Sequence, residues 1–447
     1  MVGSFWTSLR WPVCVCLFYV LVLTPLMGRK NGYTVDANAS YQVTKEMAIT
    51  GDWFPKTAVK QGYLYSVVYL PFYHLGSALQ PLFPGQDADW VRRKCLCWMN
   101  TVLTGLTVGL LALVVRELGY GRRAQIGLPL LYGFSTLAFV YARYDYNKCL
   151  AGLFLLLSFF WFLRFLRGGQ ARDLFFTGLA VGLLAMVRLE LAGIALVYLI
   201  ALVWREGTLD QKIKQGLLLS VPILLGGLFV YFYNRAYWSG ELAGGYEGGM
   251  RLSAEGLLGF LFSPGKNLWV FNPVLLLLPL ALRPFFQAGQ CAVGWAGVVL
   301  VPFLLYAFWG NWWGGWGYGP RHLVPLIPLL VLPLSALLDR KDPAILRSMA
   351  MLGLLGLGVQ WVGAGLDFND VLLTLQKAGI QEGEWIWNPA WNAVWQQSQF
   401  LQAVPLSRWD FAILAAWQSL PLGWFGFGFA LWMGACYTVL RTGLDSF

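Results

Sequence analysis

The sequence predicts an all-α polytopic membrane protein of about twelve transmembrane helices, and three observations carry that reading. Hydrophobic residues make up 58% of the 447 positions and charged residues 12%, where a soluble domain carries about 25% charged residues; the mean hydropathy is +0.58. Apolar runs long enough to span a bilayer, about 20 residues, recur along the chain. Short basic connectors separate alternate runs, the pattern that sets orientation in a membrane. The net charge of +10 is therefore a topology signal. Nucleic-acid binding would need a basic face and a fold to present it, and neither is evident.

Taken in order, the spans fall at 11–27, 98–115, 124–141, 149–163, 174–187, 191–204, 216–234, 268–282, 291–309, 323–338, 348–363 and 411–440. The first reads as a retained helix, because its flank from Thr24 to Gly28 lacks the small-residue pattern of a signal-peptide cleavage site. The fifth and sixth are short and form a tight hairpin with Arg188 and Glu190 at its tip. An even count places both termini on one side. The connectors there carry Arg116, Arg122 and Arg123, then Arg164, Arg167 and Arg172, then Arg205, Lys212 and Lys214, then Arg340, Lys341 and Arg347. The positive-inside rule makes that side cytoplasmic. Residues 1–447 read as one transmembrane domain with extracytoplasmic loops at 29–97, 235–267 and 364–409, and with no repeat symmetry of the transporter kind.

The first outer loop contains its own helix: Tyr41, Thr44, Lys45 and Ala48 recur at helical spacing, and Gly51 stops it. The segment from Tyr63 to Gly76 is apolar and aromatic but interrupted by Pro71, which reads as amphipathic helices lying at the membrane interface. Most of the seven cysteines sit in apolar runs. Cys95 and Cys97 are too close for the usual zinc spacing, and only two histidines exist to complete a site. No disulfide and no Cys/His metal centre is expected.

Charged residues at the outer ends of spans are the functional candidates, because a charge held there is costly: Asp36, Arg143, Asp145, Lys148, Arg188, Glu190, Lys266 and Arg321. In a compact bundle they face one cavity. Displacing a phosphate from a sugar C1 needs a cation on the leaving phosphate, for which arginine offers a planar, permanently charged fork. It also needs a base for the acceptor hydroxyl, which a carboxylate supplies. Asp36 is the preferred base and Asp145 the second carboxylate. Blander roles stand beside these. Asp36 has the chemistry of a helix cap, as has Ser40. Asp52 suits a turn. Asp145 could pair with Arg143 or Lys148, Arg188 with Glu190, and Lys266 could snorkel. His74 suits an interfacial hydrogen bond.

The most distinctive string runs from Trp309 to Pro325 and holds Trp312, Trp313, Trp316, Tyr318, Arg321 and His322 among glycines. Glycine lets backbone approach a ligand, aromatic faces suit sugar rings or prenyl chains, and Arg321 opens the next span at phosphate depth. An aromatic belt with a glycine-rich turn is the plain alternative. The string from Phe262 to Pro273, with Lys266, enters its span in the same way.

Asp36, Tyr41, the Lys45-Glu46-Met47-Ala48 helix and Gly51-Asp52-Trp53 together resemble the first-loop signature of GT-C fold glycosyltransferases, in particular the protein O-mannosyltransferase and lipid A aminoarabinose transferase group. The strings around Lys266 and Arg321 resemble those of bacterial membrane enzymes of that superfamily. The resemblance covers roughly the first 330 residues. It implies an inverting transfer from a polyprenyl-phosphate sugar to a lipid, glycan or small acceptor on the extracytoplasmic face of the inner membrane. Asp36 and Asp145 would be catalytic. Arg321, helped by Arg143, Arg188 and Lys266, would bind the donor phosphate, and Tyr63, Tyr65, Trp312, Trp313, Trp316, Tyr318 and His322 would shape the sugar and lipid grooves. No cofactor is called for. A divalent cation stays open, although Ala37 stands where the family often has Glu, and Gln61 to Tyr65 replaces the family's Lys-Pro-Pro. The rival classes are a flippase of lipid-linked saccharides, which would share the cations but need no base, and a glycan ligase or polymerase.

Overall fold

Among the described residues, five helices are long and apolar enough to cross a membrane: Ala88–Glu117, Lys148–Gly168, Leu209–Tyr237, Arg321–Asp339 and Pro343–Trp361. Three shorter apolar helices, Leu189–Trp204, Pro273–Phe286 and Gly294–Ala307, accompany them. The computed structural model describes residues 14–20, 23, 35–59, 62–238, 249–263, 265–287, 291–315, 317–340 and 342–365. Among these, the only extended pairing is one bridge between Met250 and Trp309. Most of the first expected span, part of the second outer loop, nearly all of the third and the span expected at 411–440 lie outside the described residues.

Several expected spans are broken rather than continuous. The 124–141 run divides into Arg122–Ser135 and Leu137–Tyr141, with Thr136 extended between them. The 268–282 run divides into Leu268–Phe271, a 3₁₀ turn at Pro273–Leu277 and Leu278–Phe286. A break leaves backbone groups without helical partners, and side chains meet them here. Leu137 N–H donates to Asn272 Oδ1 at 2.9 Å, Asn272 Nδ2 donates to the Leu268 carbonyl at 3.0 Å, and Gln360 Nε2 donates to the Phe271 carbonyl at 2.6 Å. Asn272 of the second break thus serves the first, and Gln360 secures the second.

The Arg321–Asp339 segment alternates 3₁₀ and α turns, paced by Pro325, Pro328 and Pro333. It is buried almost throughout and forms the centre of the bundle. By contrast, Leu209–Tyr237 shows most of its surface outward, with Leu217, Leu224, Leu228 and Phe232 exposed. Its inner side packs on Ala171–Val187 through small residues. A Cβ on Gly178 would stand 2.2 Å from the Leu219 carbonyl oxygen, and one on Gly182 2.4 Å from that of Pro222. This four-residue spacing of glycines is the close-approach seam of membrane helices.

In the first loop the expected helix is present as Val35–Thr50, ended by Gly51 at φ 73°. The next segment differs from expectation: Tyr63–Leu79 is one helix that runs through Pro71. Proline removes one helical hydrogen bond and crowds the preceding turn, but Pro71 lies on the exposed side. The opposite side buries Tyr65, Tyr69 and Tyr73. Lys45 pairs with Asp89 at 2.6 Å, Arg93 donates to Asn38 at 2.8 Å and lies 3.9 Å over the Tyr41 ring, and these contacts fix the first-loop helix to the start of Ala88–Glu117.

Candidate active site

The helix Leu137–Tyr141 ends in a turn, residues 142–147, that carries Arg143 and Asp145 into the protein before Lys148 opens the next span. The carboxylate of Asp145 is buried and accepts the Tyr65 hydroxyl at 3.1 Å. Burial pushes the Asp145 carboxyl up to about 7, with the Tyr65 hydrogen bond pulling the other way. Tyr65 itself receives Tyr69 Oη at 3.2 Å and Asn100 Nδ2 at 3.2 Å. Asn100 Nδ2 also lies 2.6 Å from the Tyr144 carbonyl and 2.8 Å from that of Tyr146. Thr101 donates to the Ala142 carbonyl at 3.1 Å. The long Ala88–Glu117 helix therefore holds the turn from inside the bundle.

Arg188 ends the Ala171–Val187 helix in an extended conformation, φ −153° and ψ 97°. Its Nε and Nη2 lie 2.6 and 2.5 Å from Glu190 Oε1, which also accepts Tyr306 Oη at 3.2 Å. The pairing of Arg188 with Glu190 is thus realised. Arg188 Nη1 reaches Asn147 Oδ1 at 3.4 Å, linking this bend to the Asp145 turn. Gly62 lies against the same bend: at φ 70°, a Cβ there would stand 2.7 Å from the Val187 carbonyl oxygen. Only glycine tolerates both the dihedral and the approach.

The glycine-rich string wraps the start of the central segment. A Cβ on Gly314 would fall 2.8 Å from Arg321 Cγ, and one on Gly317 2.6 Å from its Cδ. Arg321 is partly exposed; its Nη1 stands 3.5 Å from Tyr146 Oη and its Cζ 5.4 Å over that ring. His322 stacks on Tyr306 with centroids 5.0 Å apart. Lys266 is fully buried, and its ammonium donates to the carbonyls of Gly315, Gly317 and Gly319 at 3.0, 2.6 and 3.0 Å. The alternate carbonyls from Gly315 to Gly319 thus turn to one cation.

Other expected site residues are placed as follows. Arg143 is buried and donates to the Ala364 carbonyl. Tyr63 donates to the Trp53 carbonyl at 2.7 Å and stacks on Phe54. Trp312 is buried edge-on to Phe260, and Tyr318 donates to the Val359 carbonyl at 2.7 Å while meeting Phe271 edge-on. Trp313 packs edge to face on Trp312. Asp52 caps its turn by accepting Phe54 N–H at 2.8 Å. Asp36 occupies the first turn of Val35–Thr50; its side chain, like Trp316, lies outside the described residues. Three residues of this region carried no expectation: Asn100, Tyr146 and Tyr306. An asparagine inside an apolar span is itself a signal, since polar groups there need partners.

The structure is similar to the crystal structure of ArnT from Cupriavidus metallidurans in the apo state, with a TM-score of 0.55, 17% sequence identity, and coverage of 88% of this chain and 68% of that one. It is also similar to ArnT from the same organism bound to undecaprenyl phosphate, with a TM-score of 0.51, 16% identity, and coverage of 85% and 67%. The fold is GT-C. The apolar helices and this fold make the chain an integral membrane protein. No family model and no curated protein matches the sequence.

Proposed function

We propose that this GT-C chain is an inverting membrane glycosyltransferase that moves a sugar from a polyprenyl-phosphate donor to a lipid, glycan or small acceptor. One observation carries the reading. The glycine-rich string closes around Arg321 and sets its guanidinium beside Tyr146, next in sequence to the buried carboxylate of Asp145. A phosphate-binding fork so reaches the turn that carries a buried carboxylate. The ArnT structure that holds undecaprenyl phosphate supports the donor class.

In this reading the acceptor oxygen attacks C1 of the sugar, the bond from C1 to the phosphate oxygen breaks, and polyprenyl phosphate leaves with its charge met by Arg321. Asp36 takes the acceptor proton. The attachment of its helix, Val35–Thr50, to the start of Ala88–Glu117 through Lys45 and Arg93 supports that role. Asp145 orients the acceptor. Arg188 and Arg143 brace the walls, Lys266 shapes the string around Arg321, and Trp313 and His322 face the sugar. Tyr63, Tyr65, Trp312 and Tyr318, whose rings or hydroxyls are engaged in packing, support these walls from behind. About twelve spans, an extracytoplasmic site, cytoplasmic termini and residence in the inner membrane complete the proposal, supported by the basic connectors.

The test is release of free polyprenyl phosphate from polyprenyl-phosphate sugars by the purified protein, wild type against Asp36→Asn. Release by the wild type alone is expected. Equal release by both removes Asp36 as base. Translocation of a lipid-linked saccharide in vesicles with no release makes the protein a carrier.

A further inference from the structure

We infer that Asn100, from within the Ala88–Glu117 span, is a positioning residue for Asp145, and that Tyr65 is its second arm. The inference rests on Asp145 belonging to the transfer site. A carboxylate that orients an acceptor must keep one direction, and a six-residue turn between two helices does not fix one unaided. Asn100 supplies the constraint from both sides. Its amide nitrogen lies 2.6 and 2.8 Å from the carbonyls of Tyr144 and Tyr146, the two residues that flank Asp145. An amide nitrogen has two hydrogens and cannot accept. Two carbonyl partners therefore fix which end of the amide faces the turn.

The same nitrogen approaches the Tyr65 hydroxyl at 3.2 Å, and Tyr69 donates to that oxygen at 3.2 Å. The two Asn100 hydrogens are taken by the nearer carbonyls, so it is Tyr69 that delivers a hydrogen to the Tyr65 oxygen, and Tyr65 has its own hydrogen left for Asp145 Oδ1, at 3.1 Å. The chain thus runs in one direction, from Tyr69 through Tyr65 to the carboxylate. Tyr65 and Asn100 are each at most 2% exposed, so water does not compete for these bonds. Tyr65 is accordingly a holder of the carboxylate rather than a groove wall. Besides Asp145 and Tyr69, Cys149 is a titratable group near Tyr65, and Arg143 and Lys148 stand two residues before and three after Asp145 in the chain.

The experiment follows donor turnover by the full chain in lipid nanodiscs between pH 5.5 and 9, for wild type, Asp145→Asn, Tyr65→Phe, Asn100→Ala and Asn100→Ser. A working Asp145 carboxylate gives turnover that rises with pH through its ionisation. Tyr65→Phe deletes a donor to the charged form, and its rising limb moves up by about half to one pH unit. Asn100→Ala loosens both flanks and lowers kcat on the order of tenfold with little change in donor KM, as expected for misplacement of an aligned group. Asn100→Ser, which fills less of the site but keeps a hydroxyl donor, recovers part of that loss. Wild-type limb and wild-type kcat in all Tyr65 and Asn100 variants, with Asp145→Asn inactive, overturn the inference. Full activity of Asp145→Asn instead removes Asp145 from the site and fails the underlying reading. Should Asn100→Ala not fold, Tyr65→Phe decides alone, since it leaves the carbonyl contacts intact.

Discussion

Lys266 was expected at the donor phosphate, and replacing it with methionine separates that role from the one its surroundings indicate. Methionine keeps an unbranched side chain one atom shorter and removes the charge. Three hydrogen bonds from the ammonium to Gly315, Gly317 and Gly319 disappear. Bonds from a charged donor contribute about 1.5–3 kcal/mol each, a gross loss of about 5–9 kcal/mol. Against this, the buried ammonium no longer has to be dehydrated, which returns several kcal/mol. A net weakening of about 3 kcal/mol follows for the local order of the string, and at 1.4 kcal/mol per tenfold this is on the order of a hundredfold in its opening equilibrium. Hydrogen exchange on peptides covering 310–323, measured in detergent, reads that change directly. Lys266→Met is expected to exchange faster there and to bind donor more weakly because Arg321 loses its cradle. Lys266→Arg is expected not to restore protection, since a planar fork does not match three converging carbonyls. Exchange at the wild-type rate together with lost donor binding refutes the reasoning and returns Lys266 to the phosphate.

Three further outcomes follow from the same structure. Arg188→Met leaves the half-buried Glu190 carboxylate without the guanidinium whose two nitrogens meet its Oε1, and a loss of about 1–3 kcal/mol in detergent unfolding is expected; Arg188→Met with wild-type stability contradicts a stabilising pair. Gly182→Leu drives a side chain into the Pro222 carbonyl, where even a Cβ stands 2.4 Å away; the folded yield should collapse, while Gly227→Leu, with open space at its Cβ, should not. Asp145 is neutral in the folded protein below about pH 7 but ionised in the unfolded chain above about pH 4. Its contribution to stability is therefore complete at low pH and declines between pH 4 and 7, and Asp145→Asn should remove that part of the slope in thermal unfolding against pH.

The helical membrane class was legible because hydropathy reports it directly, and the first-loop helix because Gly51 marks its end. The breaks were not legible. Thr136 and Asn272 sit in runs as apolar as their neighbours, and their effect depends on partners over a hundred residues away. Pro71 misled in the opposite sense, since its consequence depends on which side of a helix meets the protein. At the site, charges at span ends were readable, and so was the pairing of Arg188 with Glu190 as one alternative. Lys266 was not, because its partners are backbone carbonyls, which leave no trace in side-chain chemistry except the alternation of glycines at 315, 317 and 319. The bonds made by Tyr65 and Asn100 were hidden for the same reason: an apolar run hides the partner that a single polar atom requires.

The repair of the first broken span by Asn272 of the second has a consequence for how the chain is made. The Arg122–Ser135 and Leu137–Tyr141 helices are synthesised long before Asn272, yet the Leu137 amide finds its partner only there. In hydrocarbon an amide without a partner is costly, so the broken span is expected to wait in the translocation machinery, or with water still at hand, until about 135 more residues have emerged. Nascent chains truncated before residue 272 should therefore remain sensitive to a cysteine-directed probe near Thr136, and chains extended past Gln360, which secures the second break, should not.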